Sequence, residues 1–276
     1  MKKPLFNKVC IVGVGLIGGS LGLAIKKYRL ARWVVGVARR KETIQKAFRL
    51  GALDIATLDL KEGIKDADLV ILCAPISEIK GHLKKIASHL KRGAIVTDVG
   101  SSKVEILAVA KKHLKKNMFI GSHPMAGSEK CGIESAKAVL FQNAVCFISA
   151  PNQKIESFWK ALGSNLVRLD ARKHDAWVAQ ASHLPHALSF ALLQKIEYSS
   201  SKKFKLNSSF KDLARLAKSH PKIWTDIFLT NREALLKAIS SYKEKLGLLE
   251  RAIRSGNEPT VMRFILTANT NAKKVS

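Results

Sequence analysis

Val9-Cys10-Ile11-Val12-Gly13-Val14-Gly15-Leu16-Ile17-Gly18-Gly19-Ser20 decides how this chain folds. Its first four residues are an unbroken apolar run, the pattern of a strand covered on both faces. Gly13-x-Gly15-x-x-Gly18 follows without a gap, and Leu16 to Tyr28 then reads as an amphipathic helix. A lone glycine pattern of this kind says little, but the strand–turn–helix context gives each glycine a task. Gly13 permits the tight turn, Gly15 lets the backbone approach a pyrophosphate, and Gly18 lets the helix lie close on the strand. Backbone N–H groups at Leu16 and Ile17 then stand at the positive end of the helix, where phosphate is favoured.

Further runs extend the pattern. Trp33-Val34-Val35-Gly36-Val37, Leu69-Val70-Ile71-Leu72-Cys73, Ala94-Ile95-Val96-Thr97 and Met118-Phe119-Ile120 read as strands. Helical stretches separate them, near Lys41 to Leu50, Ser77 to Leu90 and Ser102 to His113. Alternation of this sort builds a doubly wound, Rossmann-type α/β domain. Ala144 to Ile148 and Leu166 to Leu169 are expected to complete its sheet. After Asp170 the strand signals stop. Residues 171–195 read as helical, Tyr198 to Ser209 as a loop, and Ser219-His220-Pro221 as a helix start. From Ile223 an apolar stripe continues at helical spacing through Leu235, Leu246 and Ile253, as one long helix stopping at Ser255-Gly256-Asn257. The division expected is therefore a dinucleotide-binding domain over residues 1–170 and an all-helical domain over 171–276, with a dimer interface on the C-terminal helices.

Composition narrows the class. At 47% hydrophobic and 25% charged residues the 276-residue chain is globular. No apolar run approaches the roughly 18 residues of a membrane span, and the basic N-terminus leads straight into the first strand, unlike a signal peptide. A cytoplasmic location is expected. Four cysteines (Cys10, Cys73, Cys131 and Cys146) show neither a C-x-x-C pair nor metal-ligand spacing, so a structural role and no metal are expected. With 48 Lys+Arg against 21 Asp+Glu the net charge is +27, which raises nucleic acid as a partner. The basic residues are dispersed, as in Lys84-Lys85 and Lys111-Lys112, without a basic arm or interleaved aromatics. That favours steering of anionic small molecules over nucleic-acid binding.

The second strand's end bears on cofactor choice. An acid about 20 residues past the glycines would hold the ribose hydroxyls of NAD. That position is Ala38, followed by Arg39, Arg40 and Lys41. Guanidinium groups without a carboxylate suit a 2′-phosphate, so NADP is preferred, with NAD as the alternative. Ala74 and Pro75, just beyond the strand ending at Cys73, belong to the same cofactor side.

Three polar segments lie where a cleft is expected: Thr97-Asp98-Val99-Gly100-Ser101-Ser102-Lys103, Gly121-Ser122-His123-Pro124-Met125-Ala126-Gly127-Ser128-Glu129, and Ser182-His183-Leu184-Pro185-His186. The first two leave strands at their carboxyl ends, where such sheets bind ligands. Taken with the glycine turn and Phe210-Lys-Asp-Leu-Ala-Arg215, they closely resemble the prephenate/arogenate dehydrogenase family, in order and over nearly the whole chain. The resemblance implies a dimeric enzyme of tyrosine synthesis. It would oxidatively decarboxylate prephenate to 4-hydroxyphenylpyruvate or, as the alternative, arogenate to tyrosine. His-Leu-Pro-His tilts the reading to prephenate.

The implied roles make chemical sense. His123 accepts or polarises the hydroxyl proton while the carbon gives up hydride, work that imidazole suits near neutral pH. Ser101 orients the hydroxyl or His123, although neighbouring Ser102, with Glu105 three residues on, has the spacing of a helix N-cap. Arg215 grips the pyruvyl carboxylate through paired hydrogen bonds, against the plainer alternative of a surface pair with Asp212. His186 contacts substrate and His183 shapes the site. These two have the spacing of a zinc pair but lack a third ligand. Glu129 gates or tunes the entrance, and Trp224 closes the pocket or packs in the core. The chain departs from the family at Asn207-Ser208-Ser209, where relatives often carry glycines. It shows no fused chorismate mutase or regulatory domain, so any feedback by tyrosine is expected at the active site itself. Two further readings compete: a 3-hydroxyacid dehydrogenase, and a non-catalytic nucleotide or nucleic-acid binder on the same scaffold. Salt-dependent nucleic-acid binding without turnover would mark the latter.

Overall fold

Strand β1 (Phe6–Val12) explains the apolar run at its centre. Val9 and Ile11 point into one core and Cys10 and Val12 into another, on opposite faces of one sheet. The computed structural model describes residues 3–114, 118–127, 132–194 and 208–274. Helix α1 (Leu16–Lys27) follows the glycine turn, then β2 (Ala31–Val37), α2 (Lys41–Arg49), the short β3 (Ile55–Thr57) and α3 (Leu60–Ile64). After these come β4 (Leu69–Leu72), α4 (Ile76–Ile86), β5 (Ile95–Asp98), α5 (Val104–His113) and β6 (Phe119–Ile120). The six strands are parallel in the order β3-β2-β1-β4-β5-β6. Helices cover both faces, as parallel sheets require. In β4, Leu69 and Ile71 repeat the division of β1 against Val70 and Leu72. The order reverses between β1 and β4, and at that switch point their carboxyl ends open a crevice.

The two later strands do not complete this sheet, contrary to the sequence expectation. The chain leaves the sheet at Gly121, whose N–H donates to Ser149 Oγ at 2.8 Å, and begins a second one. There β7 (Ser122–Pro124) runs antiparallel to β8 (Val145–Ile148), and β8 is parallel to β9 (Asn165–Arg168), after α6 (Gln153–Ala161). An apolar strand carries no label for the sheet it joins. Here the three-residue β7, too short and polar to read as a strand, captures β8.

Helix α7 (Ala171–Val178) starts on an Asp170 cap whose carboxylate accepts from the Arg172 and Lys173 N–H groups. A π-helical turn over Ala179–His183 joins it to α8 (Leu184–Gln194). Such widened turns cluster at functional sites, and this one carries Ser182 and His183. Part of the expected loop before Phe210 falls outside the described residues. Ser208 and Ser209, however, open helix α9 (Ser208–Ala217). Pro221 begins α10 (Pro221–Thr230) as expected. The single long helix read from Ile223 is broken, because Asn231 leaves helical geometry and α11 (Arg232–Arg254) starts anew. Periodicity of apolar residues survives a one-residue break, so it cannot reveal one. Gly256, at φ +64°, ends α11 as expected, but Asn257 then caps a further helix, α12 (Glu258–Ala272), by accepting from the Thr260 N–H. The chain divides into two compact units, one running to Asn231 and the other starting at Arg232. Both sites described below lie wholly in the first. No helix among the described residues is long and apolar enough to cross a membrane.

Candidate active site

At the β1/β4 switch point a groove of about 670 Å³ is lined by Gly13, Gly15, Arg39, Arg40, Ala74 and Pro75, all assigned to the cofactor from sequence. Gly13 sits at φ +98°, and a Cβ there would lie 2.5 Å from the Cys73 carbonyl oxygen. A Cβ on Gly18 would meet the Gly13 carbonyl oxygen at 2.0 Å, so this glycine serves helix–strand contact. Gly18, Leu16 and Ile17 do not line the groove. Leu16 and Ile17 open α1 directly after the glycine turn. A Cβ on Gly15 would meet nothing within 4 Å, so this glycine leaves open space beside a helix N-terminus. That vacancy fits a dinucleotide's pyrophosphate. At the rim Arg39 and Arg40 are exposed, and Arg39 Nη1 reaches Glu78 Oε1 at 3.0 Å. His82 also lines the groove. Its buried Nδ1 has no hydrogen-bond partner among the described residues, and burial lowers its pKa.

A second cavity, of about 400 Å³, gathers Ser101, His123, His183, His186, Arg215 and Trp224 from five segments far apart in sequence. His123 lies on β7, beside the carboxyl end of β5 that presents Ser101. His123 is 8% exposed, and the pKa of its imidazole is held well below the ordinary 6.5. Burial is the main cause, reinforced by His174, Lys103 and His183. Burial likewise takes His183 down to about 4, and lowers His186. His186 Nδ1 donates to the Ser182 carbonyl at 2.9 Å, and its ring stacks on Trp224 with centroids 3.6 Å apart. Trp224 both packs against the core and walls the cavity. Arg215, exposed at the mouth, makes no ion pair with Asp212 or any other carboxylate among the described residues. It is therefore available for an anion. Glu129 lies outside the described residues.

Beneath the cavity is a buried polar layer. Asp98, at the end of β5, is fully buried and paired with Lys103 Nζ, which also donates to the Ser122 carbonyl at 2.8 Å. Asp98 further accepts from the N–H groups of Gly100 (2.8 Å) and Ser122 (3.2 Å), tying β7 to β5. Burial pushes the Asp98 carboxyl up and the Lys103 amine down, and each opposes the other's shift. Thr97 Oγ1 donates to the Ile120 carbonyl, Ser122 Oγ donates to Thr97 Oγ1, and Trp159 Nε1 donates to Ser122 Oγ at 3.1 Å. Thr97, Asp98, Lys103, Ser122 and Trp159 each find a partner within this layer, so the residue before His123 is fixed in place. Ser102 is not the helix cap that its spacing with Glu105 allowed. It is buried and bonded to Thr230 Oγ1, while the N–H groups of Lys103 and Val104 are taken by Asp175.

Residues 21–168 match the family model for the prephenate dehydrogenase nucleotide-binding domain, and residues 170–270 match the one for its dimerization domain. The chain belongs to the prephenate dehydrogenase family. It is 35% identical over 265 residues to prephenate dehydrogenase of Lactococcus lactis subsp. cremoris, covering 94% of this chain and 74% of that one. Among solved structures it is similar to A. aeolicus prephenate dehydrogenase in complex with hydroxyphenyl propionate and NAD+. That match has a TM-score of 0.89 and 29% identity, over 98% of both chains. Synechocystis arogenate dehydrogenase also matches, with a TM-score of 0.82 and 31% identity over 98% of this chain and 100% of that one. The chain is thus a dehydrogenase with a nicotinamide-nucleotide domain. A 3-hydroxyisobutyrate dehydrogenase, at 11% identity and a TM-score of 0.58, shares the fold alone.

Within this dehydrogenase, sequence reading missed His174 and Asn231, which bond to the cavity histidines His123 and His183, and Asp175, which bonds to His174. His174 and Asp175 sit on a helix whose residues 171–178 show no recognisable pattern. The one available signal was a His-Asp pair among otherwise ordinary helical residues. Asn231 fell inside an apolar periodicity that ran straight through it.

Proposed function

We propose that the chain oxidises prephenate to 4-hydroxyphenylpyruvate and CO2 as part of tyrosine synthesis. The reading is carried by one observation: a neutral, buried His123 shares a small cavity with Arg215, whose guanidinium pairs with no carboxylate among the described residues. The substrate class it fits has a ring hydroxyl and two carboxylates. Bound in the groove, the nicotinamide would supply the hydride acceptor. His123 takes the hydroxyl proton as hydride leaves the same carbon, and a carbonyl forms. The C–C bond to the ring carboxylate then breaks as CO2, its electron pair passes through the ring to that oxygen, and His123 returns the proton. Ser101 orients the hydroxyl, and Arg215 holds the side-chain carboxylate through paired charge-assisted bonds. An ion pair on the departing carboxylate would instead stabilise the reactant. His186 contacts substrate and His183 the site's frame.

The likeness to an arogenate dehydrogenase makes arogenate the second reading. Arg39 and Arg40, with Ala38 at the strand end, support NADP+ over NAD+, a 2′-phosphate displacing Glu78 from Arg39. In α11 and α12, Leu236, Ile253, Met262, Ile265 and Leu266 stay exposed, which with the dimerization-domain match supports a homodimer through these helices. Crossing both substrates with both cofactors tests the assignment. Turnover of prephenate with NADP+ is expected to be fastest, and His123→Asn to lower kcat by about 10²- to 10⁴-fold. Parental turnover in that variant, or faster turnover of arogenate, overturns the corresponding part.

A further inference from the structure

We propose that His174 and Asp175 are positioning residues that fix which nitrogen of His123 carries its proton, leaving a bare Nε2 for the cavity. This rests on the reading of His123 as the proton acceptor. His123 Nδ1 lies 2.9 Å from His174 Nε2, and His174 Nδ1 lies 2.7 Å from Asp175 Oδ1. His174 is 1% exposed and Asp175 3% exposed, so water competes with neither contact. Both Asp175 oxygens also accept backbone N–H groups at the start of α5, from Lys103 at 2.7 Å and Val104 at 2.9 Å.

The proton assignment follows link by link. A carboxylate only accepts, so His174 carries hydrogen on Nδ1. A neutral His174 then has a lone pair on Nε2, and the contact with His123 is made only if His123 carries hydrogen on Nδ1. Nε2 of His123 is thereby an acceptor in the resting protein. When it takes a proton, the new positive charge faces His174 and, behind it, the Asp175 carboxylate. The geometry is that of a base oriented by a third group, with a second imidazole inserted between them.

The rings are held as well as bonded. His174 packs edge-on against His123 and Phe147, with centroids 5.1 and 5.0 Å apart, and Phe147 is the cross-strand partner of His123. The same region sets His183 the opposite way. Asn231 Nδ2 donates one hydrogen to the Asp175 carbonyl at 2.9 Å, so the amide cannot be flipped, and the other to His183 Nδ1 at 3.1 Å. His183 is then left with its hydrogen on Nε2. Two histidines of one cavity thus carry opposite tautomers, one set to accept a proton and one to donate to an anionic oxygen. The cation near His123 is Lys103, which is paired with Asp98, and the neighbouring titratable rings are His183 and His174, the latter facing the Asp175 carboxylate.

Nitrogen-15 NMR of histidine-labelled full-length protein reads the tautomer directly, with the His123 signals assigned by their loss in His123→Asn. The expected result is Nδ1–H in the parent and loss of that single state in His174→Phe. In steady-state assays His174→Phe is expected to lower kcat by about 10- to 100-fold with KM within about threefold. His174→Gln, which keeps an acceptor for the Nδ1–H, recovers most of the loss. A merely structural role would move the melting temperature and not the tautomer. Hydrogen on Nε2 of His123 in the parent protein overturns the proposal, and that measurement holds even where a variant fails to fold. Parental kcat in a folded His174→Phe also overturns it. If His123→Asn is inactive while His174→Phe is fully active, this inference alone fails. If His123→Asn itself keeps parental kcat, the reading beneath it fails.

Discussion

Around the glycine turn the cofactor groove is built from backbone, between β1 and α1 and beside the end of β4. In the His123 cavity the chain presents side chains, delivered by the end of β5, by β7, by the π-helical turn and α8, by α9 and by α10. The first needs a local conformation that few sequences allow, and a dozen consecutive residues specify it. The second needs five segments brought to a common point, with a buried polar layer beneath to keep them there. Binding by backbone is written contiguously, whereas proton chemistry is assembled at a distance.

Acid should load the cavity, with three burial-shifted histidines, more heavily than the groove, where His82 is the burial-shifted ring. Burial holds His123, His183 and His186 neutral, so all three have folded pKa values below the unfolded 6.5. Above that pH both states are unprotonated and nothing is lost. As pH falls below it the unfolded chain takes up protons that the folded chain refuses, and stability declines until the folded value is passed. For His183, with a folded value of about 4, the loss amounts to up to about 3 kcal/mol. Melting temperature followed from pH 7.5 to pH 4 is expected to drop below 6.5, and less steeply in His183→Gln. A flat profile would show that these rings are not held neutral.

Removing the guanidinium should sharpen the contrast at the level of ligands. Arg215→Gln is expected to raise KM for the substrate about 10- to 100-fold, the worth of a charge-assisted pair, and to leave the cofactor KM alone. Equal rises in both constants would mean that Arg215 serves both sites. Smaller effects should separate two glycines within the groove. Gly13→Ala is expected to cost about 1–3 kcal/mol of stability, because its conformation and the Cys73 carbonyl both reject a Cβ. Gly15→Val should keep the parental melting temperature and weaken cofactor binding by about tenfold or more. A destabilised Gly15→Val with normal binding would reverse these roles.

Legibility followed the same division. Gly13, Gly15, Arg39, Arg40, Ala74 and Pro75 were found from sequence and share the groove, because strand, turn and helix each carry a local signature. Ser101, His123, His183, His186 and Arg215 were found through family resemblance and meet in the cavity, but nothing in their spacing required them to meet. His174, Asp175 and Asn231 were not found at all. Their work is done through hydrogen bonds to residues 51, 72 and 48 positions away, and helical periodicity is blind to such partners.

By itself the sequence determined the parallel sheet, the dinucleotide turn and the helical character of the C-terminal part. Each of these follows from apolar periodicity and from the conformations that glycine alone adopts at low cost. Only the tertiary structure decided that β8 joins β7 in a separate sheet, that Asn231 interrupts a helix to hold His183, and that a His-Asp pair stands behind His123. The physical reason is range. Propensity and pattern act over a few residues, whereas a buried hydrogen bond is specified only when packing brings donor and acceptor within 3 Å and shuts water out.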